Sequence, residues 1–168
     1  YVLETGLISN VAALSAKEHG DARKPIDTFY EAGRLAEKQG TTTVSISRVD
    51  DAVTQAEVNR FEKLIKGTTP HVKHILRSLA FLSADSPEQD GFRTHKIYSL
   101  YVKLAEQAGS EPLSEDRVYR LLKEQSFLGV TESNHTGGGQ SQGSYLEHRL
   151  LRDPKIIVEA LDASKNTT

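Results

Sequence analysis

A chain of 168 residues with 37% hydrophobic side chains holds one ordinary domain or two small ones, and no apolar run approaches the roughly 18–20 residues that a membrane helix needs. Lys plus Arg number 21 against 23 Asp plus Glu, a formal charge of −2, so any nucleic-acid reading rests on where charges sit rather than on their total. Cysteine is absent, which excludes disulfides, thiol catalysis and cysteine-ligated zinc.

The first residues show neither a basic start leading into an apolar core nor a small-residue cleavage site, so an intracellular protein is expected. Tyr1 in place of an initiator methionine suggests a piece of something longer. Ile8, Val11, Ala12, Leu14 and Ser15 fall at helical spacing over residues 7–19, and Gly20 follows where a helix end favours a left-handed residue. Asp21 suits the cap of a second helix, with Pro25 in or beside its first turn. Its apolar stripe is Ile26, Phe29, Tyr30, Gly33 and Ala36, and Gln39-Gly40 ends it. The β-branched run from Thr41 to Ile46 reads as extended, and Ser47 caps a third helix through Val49, Val53, Ala56, Phe61 and Leu64. Three helices in residues 1–66 predict a small helical domain.

Gly67-Thr68-Thr69-Pro70 joins turn residues to a helix-start proline and marks a domain boundary, leaving 67–168 as a second domain. Pro70 to Leu82 predicts a helix that buries Val72, Ile75, Leu76 and Leu79. After the polar loop SADSPEQDG, another runs from about Thr94 to Ala108 with Ile97, Tyr98, Tyr101, Leu104 and Ala105 inward. Ser114 caps a third, acidic in its first turn, whose buried stripe is Val118, Leu121 and Leu122. FLGVTE predicts a short strand, NHTGGGQSQGS a flexible tip, and YLEHRLL a return strand with Leu146, His148 and Leu150 on one side. Asp153-Pro154 restarts a helix through Ile156, Ile157, Ala160 and Leu161, before a frayed KNTT. Three helices followed by a hairpin with a glycine-rich tip is the order of a winged helix-turn-helix. In such a domain the third helix enters the DNA major groove, and the loop, or wing, lies along the adjacent backbone or minor groove.

On that third helix the buried stripe leaves Arg117, Tyr119, Arg120 and Lys123 outward, a set able to bond phosphates or guanine edges. The plainer reading is a solvated face balanced by Glu115, Asp116 and Glu124, but the attached hairpin turns the choice towards DNA. Asn134, His135, Gln140 and Gln142 of the wing are then candidates to touch backbone or minor-groove edges. The tip is not a phosphate loop, because Ser144 stands where lysine is required and the flanks suit a hairpin. His71 and His74 lie three apart on one helix without an obvious third ligand, and neither a metal site nor a catalytic constellation emerges. Arg23, in a first turn where the macrodipole favours anions, either pairs with Asp27 or faces a phosphate together with the helix N–H groups.

The run AALSAKEHGDARKPIDTFYEAGRLAEKQG looks like the sensor-2 region of the archaeal replication initiators, AAA+ proteins related both to the largest origin-recognition subunit and to the helicase-loading cell-division-control protein. SISRVDDAV, IYSLYVKLAEQAGSEPLSEDRVYRLLKEQSFLGV and the glycine-rich wing extend the resemblance over nearly the whole chain. It implies a mainly α C-terminal fragment: a three-helix AAA+ lid followed by a winged helix-turn-helix with a β-hairpin wing. It also implies that Arg23 reaches from the lid towards the γ-phosphate of ATP held mainly by an upstream domain. ATP or ADP with magnesium therefore belongs to the full-length AAA+ ATPase, and neither cofactor nor hydrolysis is expected of the fragment alone. The implied partners are double-stranded origin DNA, the replicative helicase and other initiator copies, with no membrane and a cytoplasmic, nucleoid-associated location.

Two departures from the family pattern stand out. Lys24 and Pro25 follow GDAR where arginine and alanine are common, and the wing's glycine cluster, TGGGQSQGS, carries no basic residue. From Pro70 onward there are 12 basic and 13 acidic side chains, which predicts modest, salt-sensitive DNA affinity for this fragment. A winged-helix protein-interaction module and a transcriptional regulator are the alternatives.

Overall fold

The computed structural model describes residues 2–17, 23–45, 48–136 and 145–164, and at 14–17 and 23–24 the backbone only. Gly20, Asp21 and Ser47, assigned above as helix ends and caps, lie outside the described residues, as do residues 165–168. Seven helices and five short strands are present among the described residues. The chain divides into two compact units, Tyr1–Arg60 and Phe61–Thr168.

The first unit contains β1 (Val2–Leu3), α1 (Leu7–Lys17), α2 (Arg23–Lys38), β2 (Thr43–Val44) and the start of α3 (Val49–Ile65). β1 and β2 pair in parallel, Val2 opposite Thr43 and Leu3 opposite Val44. The core is built from Leu7, Val11, Ala32, Ala36, Val44, Val49 and Ala52, with Phe29, Leu35 and Val53 packed against it.

Three stripes differ from expectation. In α1 Leu7 joins Val11 in the core, whereas Ile8 is 61% exposed. In α3 Ile65 is buried rather than Leu64. In α2, Ile26 and Tyr30 are 68% and 71% exposed, whereas Thr28, Glu31, Ala32 and Ala36 are buried. The inward side of that helix carries Thr28, Glu31, Ala32 and Ala36, flanked by Phe29 and Leu35, and its small residues permit close approach. Glu31 is tolerated inside because its carboxylate accepts from Arg34 Nε at 3.0 Å and from Asn59 Nδ2 at 2.6 Å. Asp27 pairs with Arg60 at 2.8 Å.

The second unit contains the end of α3, then α4 (Pro70–Asp85), β3 (Phe92–Arg93), α5 (Thr94–Gln107), α6 (Glu115–Phe127), β4 (Thr131–Thr136), β5 (Tyr145–Leu150) and α7 (Pro154–Ala163). Each of α4, α6 and α7 starts at a side-chain cap: Thr69 accepts from Val72 N, Ser114 from Arg117 N and Asp153 from Lys155 N. The predicted inward stripes of α4 and α6 are buried, and α5 buries Ile97, Tyr101 and Ala105. We expect Ser114→Ala to lower the unit's unfolding free energy by about 1 kcal/mol and Ser114→Gly by only a few tenths. Urea denaturation of both variants checks the difference.

Gly129, at φ 68°, turns the chain from α6 into the hairpin, with Gly129 N donating to Ser126 O and Val130 N to Gln125 O. The sheet is antiparallel with order β3-β5-β4. β3 was not anticipated; it pairs Phe92 with His148 and Arg93 with Glu147. Asn134 and His135, read from sequence as loop tip, instead lie within β4, opposite Glu147 and Leu146. Cross-strand pairing outweighs their low strand propensity. α7 packs along α4, where Arg77 meets Asp162 at 2.8 Å.

Candidate nucleic-acid interface

α6 presents Arg117, Arg120 and Lys123 to solvent, because Val118, Leu121, Leu122 and Gln125 turn the opposite face inward. Arg120 Nη2 stands 2.8 Å from Asp116, with both side chains more than 60% exposed. Such a pair contributes well under about 1 kcal/mol, so the guanidinium is easily drawn to a stronger anion. Lys123 Nζ lies 5.8 Å from the centre of the Tyr119 ring. Tyr119 itself is half-buried, its ring edge-on to His148 at 6.3 Å.

His148 ties the hairpin to the helices. It is fully buried, its Nε2 lies 3.0 Å from Thr94 Oγ1 at the start of α5, and its Nδ1 lies 2.8 Å from Ser133 Oγ on β4. Burial pushes its pKa from 6.5 down to about 4, so the ring is neutral at physiological pH. One imidazole therefore sets the position of Tyr119, of β4 and of the first turn of α5.

The start of α5 adds cations that sequence reasoning did not single out. Arg93 Cζ lies 3.6 Å from the centre of the Tyr145 ring, across the β3–β5 pair, and Lys96 Nζ lies 5.0 Å from the Phe92 ring. His95 Nδ1 sits 3.3 Å from Glu115 at the start of α6. Cations in a first turn run against the macrodipole, and an anion arriving there would relieve that. On the hairpin itself charges are mixed: Arg149 pairs with Glu132, and Thr136 Oγ1 donates to Glu147 at 3.3 Å.

Of the candidates named from sequence, Arg117, Tyr119, Arg120 and Lys123 lie on one helix, and Asn134 and His135 on the adjoining hairpin. Gln140 and Gln142 lie outside the described residues. Arg23 begins α2 in the other unit, and its side chain is likewise outside them. His71, weighed above as a metal ligand, hydrogen-bonds Tyr101 Oη at 2.8 Å. No three His, Asp or Glu residues among those described converge on a possible metal position, and no described helix is long and apolar enough to cross a membrane.

Three helices, a strand between the first two and a returning hairpin make residues 61–168 a winged helix-turn-helix unit, preceded by a separate, mainly helical one. Residues 63–160 match the family described as the CDC6 C-terminal winged helix domain, and residues 1–54 match the Cdc6 AAA+ ATPase-type lid domain. The chain belongs to the Cdc6 family of replication proteins and carries its lid and winged-helix parts.

Among relatives, the ORC1-type DNA replication protein 17 of Haloarcula marismortui is 41% identical over 157 residues, 94% of this chain and 39% of its own length. The ORC1-type DNA replication protein 1 of Archaeoglobus fulgidus is 33% identical over 96% of this chain and 38% of its own. The chain thus spans well under half the length of these relatives. The Aeropyrum pernix ORC1 protein, solved in complex with DNA, superposes with a TM-score of 0.72 at 29% identity, covering 96% of this chain and 41% of that one.

Proposed function

We propose that this chain is the origin-DNA-recognition part of an archaeal replication initiator, with a lid over residues 1–66 and a DNA-binding winged helix over 67–168. α6 lies in the major groove and supplies Arg117, Tyr119, Arg120 and Lys123 to phosphates and base edges. The hairpin, with Asn134, His135, Gln140 and Gln142, follows the backbone or minor groove beside it. Arg93, held on Tyr145, adds a phosphate contact from the start of α5. The reading is supported above all by the likeness over 96% of the chain to an initiator solved on DNA, combined with exposed cations on the helix that such a fold directs at the groove.

In the longer protein, Arg23 reports on ATP, bound with magnesium mainly by an upstream domain, and so couples nucleotide state to DNA engagement and helicase loading. The first turn of α2 holds no carboxylate, which suits a phosphate there. The replicative helicase and other initiator copies are the protein partners, the nucleoid is the location, and the 168 residues by themselves hydrolyse nothing.

The test is a titration of origin and random duplexes at several salt concentrations. Each lost phosphate contact lowers the log–log salt slope by about one, and Arg117→Ala with Arg120→Ala together weaken binding on the order of tenfold to a hundredfold. A flat salt response, or an unchanged double variant, rejects the DNA reading. The outcome would then favour a protein-interaction module, which the near-balanced charge of this half also suits.

A further inference from the structure

Besides its cations, α6 carries two carboxylates in its first turn, Glu115 and Asp116. Glu115 is drawn aside by His95, whose Nδ1 lies 3.3 Å from it at the start of α5. Asp116 instead forms an ion pair with Arg120, Oδ2 to Nη2 at 2.8 Å, one turn along the same exposed helix face. No other described residue pairs with Asp116, and the Arg117 guanidinium pairs with no described residue at all. The helix therefore offers two different arginines, one unpaired and one coupled to an acid.

An acid in a first turn stabilises a helix through the macrodipole, and Glu115 already meets that need. Asp116 has a further consequence on a surface that meets DNA. Where the contacts are to phosphates alone, as on a random sequence, a fixed carboxylate opposes association. It is offset only where the major groove supplies an amino donor, cytosine N4 or adenine N6. The ion pair also leaves most of the Arg120 fork open to O6 and N7 of a guanine. Acceptor and donors thus stand side by side, matched to the edges that guanine and cytosine present. The pair is weak in the free chain, and expelling water from the groove strengthens it, so that on a matching sequence Arg120 stays over the base edge.

We propose that Asp116 is a specificity-determining residue: it keeps Arg120 on a guanine, accepts from the N4 amino group of a neighbouring cytosine and disfavours sequences that offer neither. Arg117, unpaired, is the general phosphate contact. This assignment rests on the DNA reading, within which it separates the cation that reads sequence from the one that grips the backbone.

The probe is a duplex library with a randomised central segment, from which the whole chain selects its preferred site. That duplex and a shuffled one are then titrated at a single salt concentration. Asp116→Asn is expected to bind the shuffled duplex about threefold more tightly and the selected one about threefold more weakly, a loss of discrimination of about tenfold. Asp116→Glu keeps both the charge and the i,i+4 pairing and retains most of the discrimination. Arg117→Ala weakens both duplexes by the same factor. Replacing the selected guanines with 7-deazaguanine, which lacks the N7 acceptor, weakens the wild-type chain more than Asp116→Asn. Urea denaturation under the assay conditions confirms that each variant is folded, so lost helix stability is told apart from lost discrimination. Equal discrimination by wild type and Asp116→Asn, or a gain of affinity shared by both duplexes, would overturn the role of Asp116 while leaving duplex binding intact. A wild-type chain that binds no duplex in a salt-dependent way would remove the DNA reading and this role together.

Discussion

Lowering the pH from neutral to about 4 is expected to destabilise the winged-helix unit by up to about 3 kcal/mol through His148 alone. The imidazole is neutral and buried in the folded state with its pKa near 4, whereas the unfolded chain holds it near 6.5. Between those values the unfolded state binds the extra proton, so stability is present above about 6.5 and is lost as pH falls towards 4. Carboxylates elsewhere also titrate at the acid end, so the informative quantity is the difference between the wild-type chain and His148→Asn, measured by urea denaturation across pH. Asn cannot reach both Thr94 and Ser133, so the variant is weaker at neutral pH by about 1–3 kcal/mol, and its acid loss is smaller. Parallel pH profiles for the two proteins would show that His148 does not carry the effect.

Tyr101→Ala is expected to cost about 3–5 kcal/mol. The ring is fully buried, and its hydroxyl accepts from Leu113 N–H at 2.9 Å. The same oxygen lies 2.8 Å from His71 Nδ1, in a second hydrogen bond whose direction follows the imidazole tautomer. One phenol thus ties the segment leading into α6 to the first turn of α4, and burial raises its pKa, so it stays protonated. Tyr101→Phe separates packing from hydrogen bonding: it keeps the ring but strands the Leu113 N–H, for about 1–3 kcal/mol. If the phenylalanine variant unfolds at the wild-type urea midpoint, the hydroxyl bridge contributes nothing.

The two halves of the fold were legible to different degrees, for physical reasons. α4 and α6 were readable because each has a single apolar stripe, Val118, Leu121 and Leu122 in α6 for instance, between a side-chain cap and a turn. α2 was misread because apolar residues occupy two of its faces, and periodicity alone does not say which one the core takes. β3 left no trace, since two residues carry no alternation and their partners, Glu147 and His148, lie far downstream. The family was readable from the HGDAR run and the winged-helix order together. For the interface, the outward cations of α6 followed directly from its stripe. The Arg93–Tyr145 stack and the His148 junction did not, because each depends on strand register that no local pattern encodes.

The short β3–β5 pairing has a thermodynamic consequence for recognition. Arg93 rests on Tyr145 and is anchored by a strand whose next residue, Thr94, already holds the hairpin through His148. Its guanidinium has therefore surrendered much of its rotational freedom during folding, roughly 0.5–1.5 kcal/mol that association need not supply again. Helix start and hairpin arrive at a binding partner as one preorganised body, and the penalty for ordering them falls on the folding equilibrium instead.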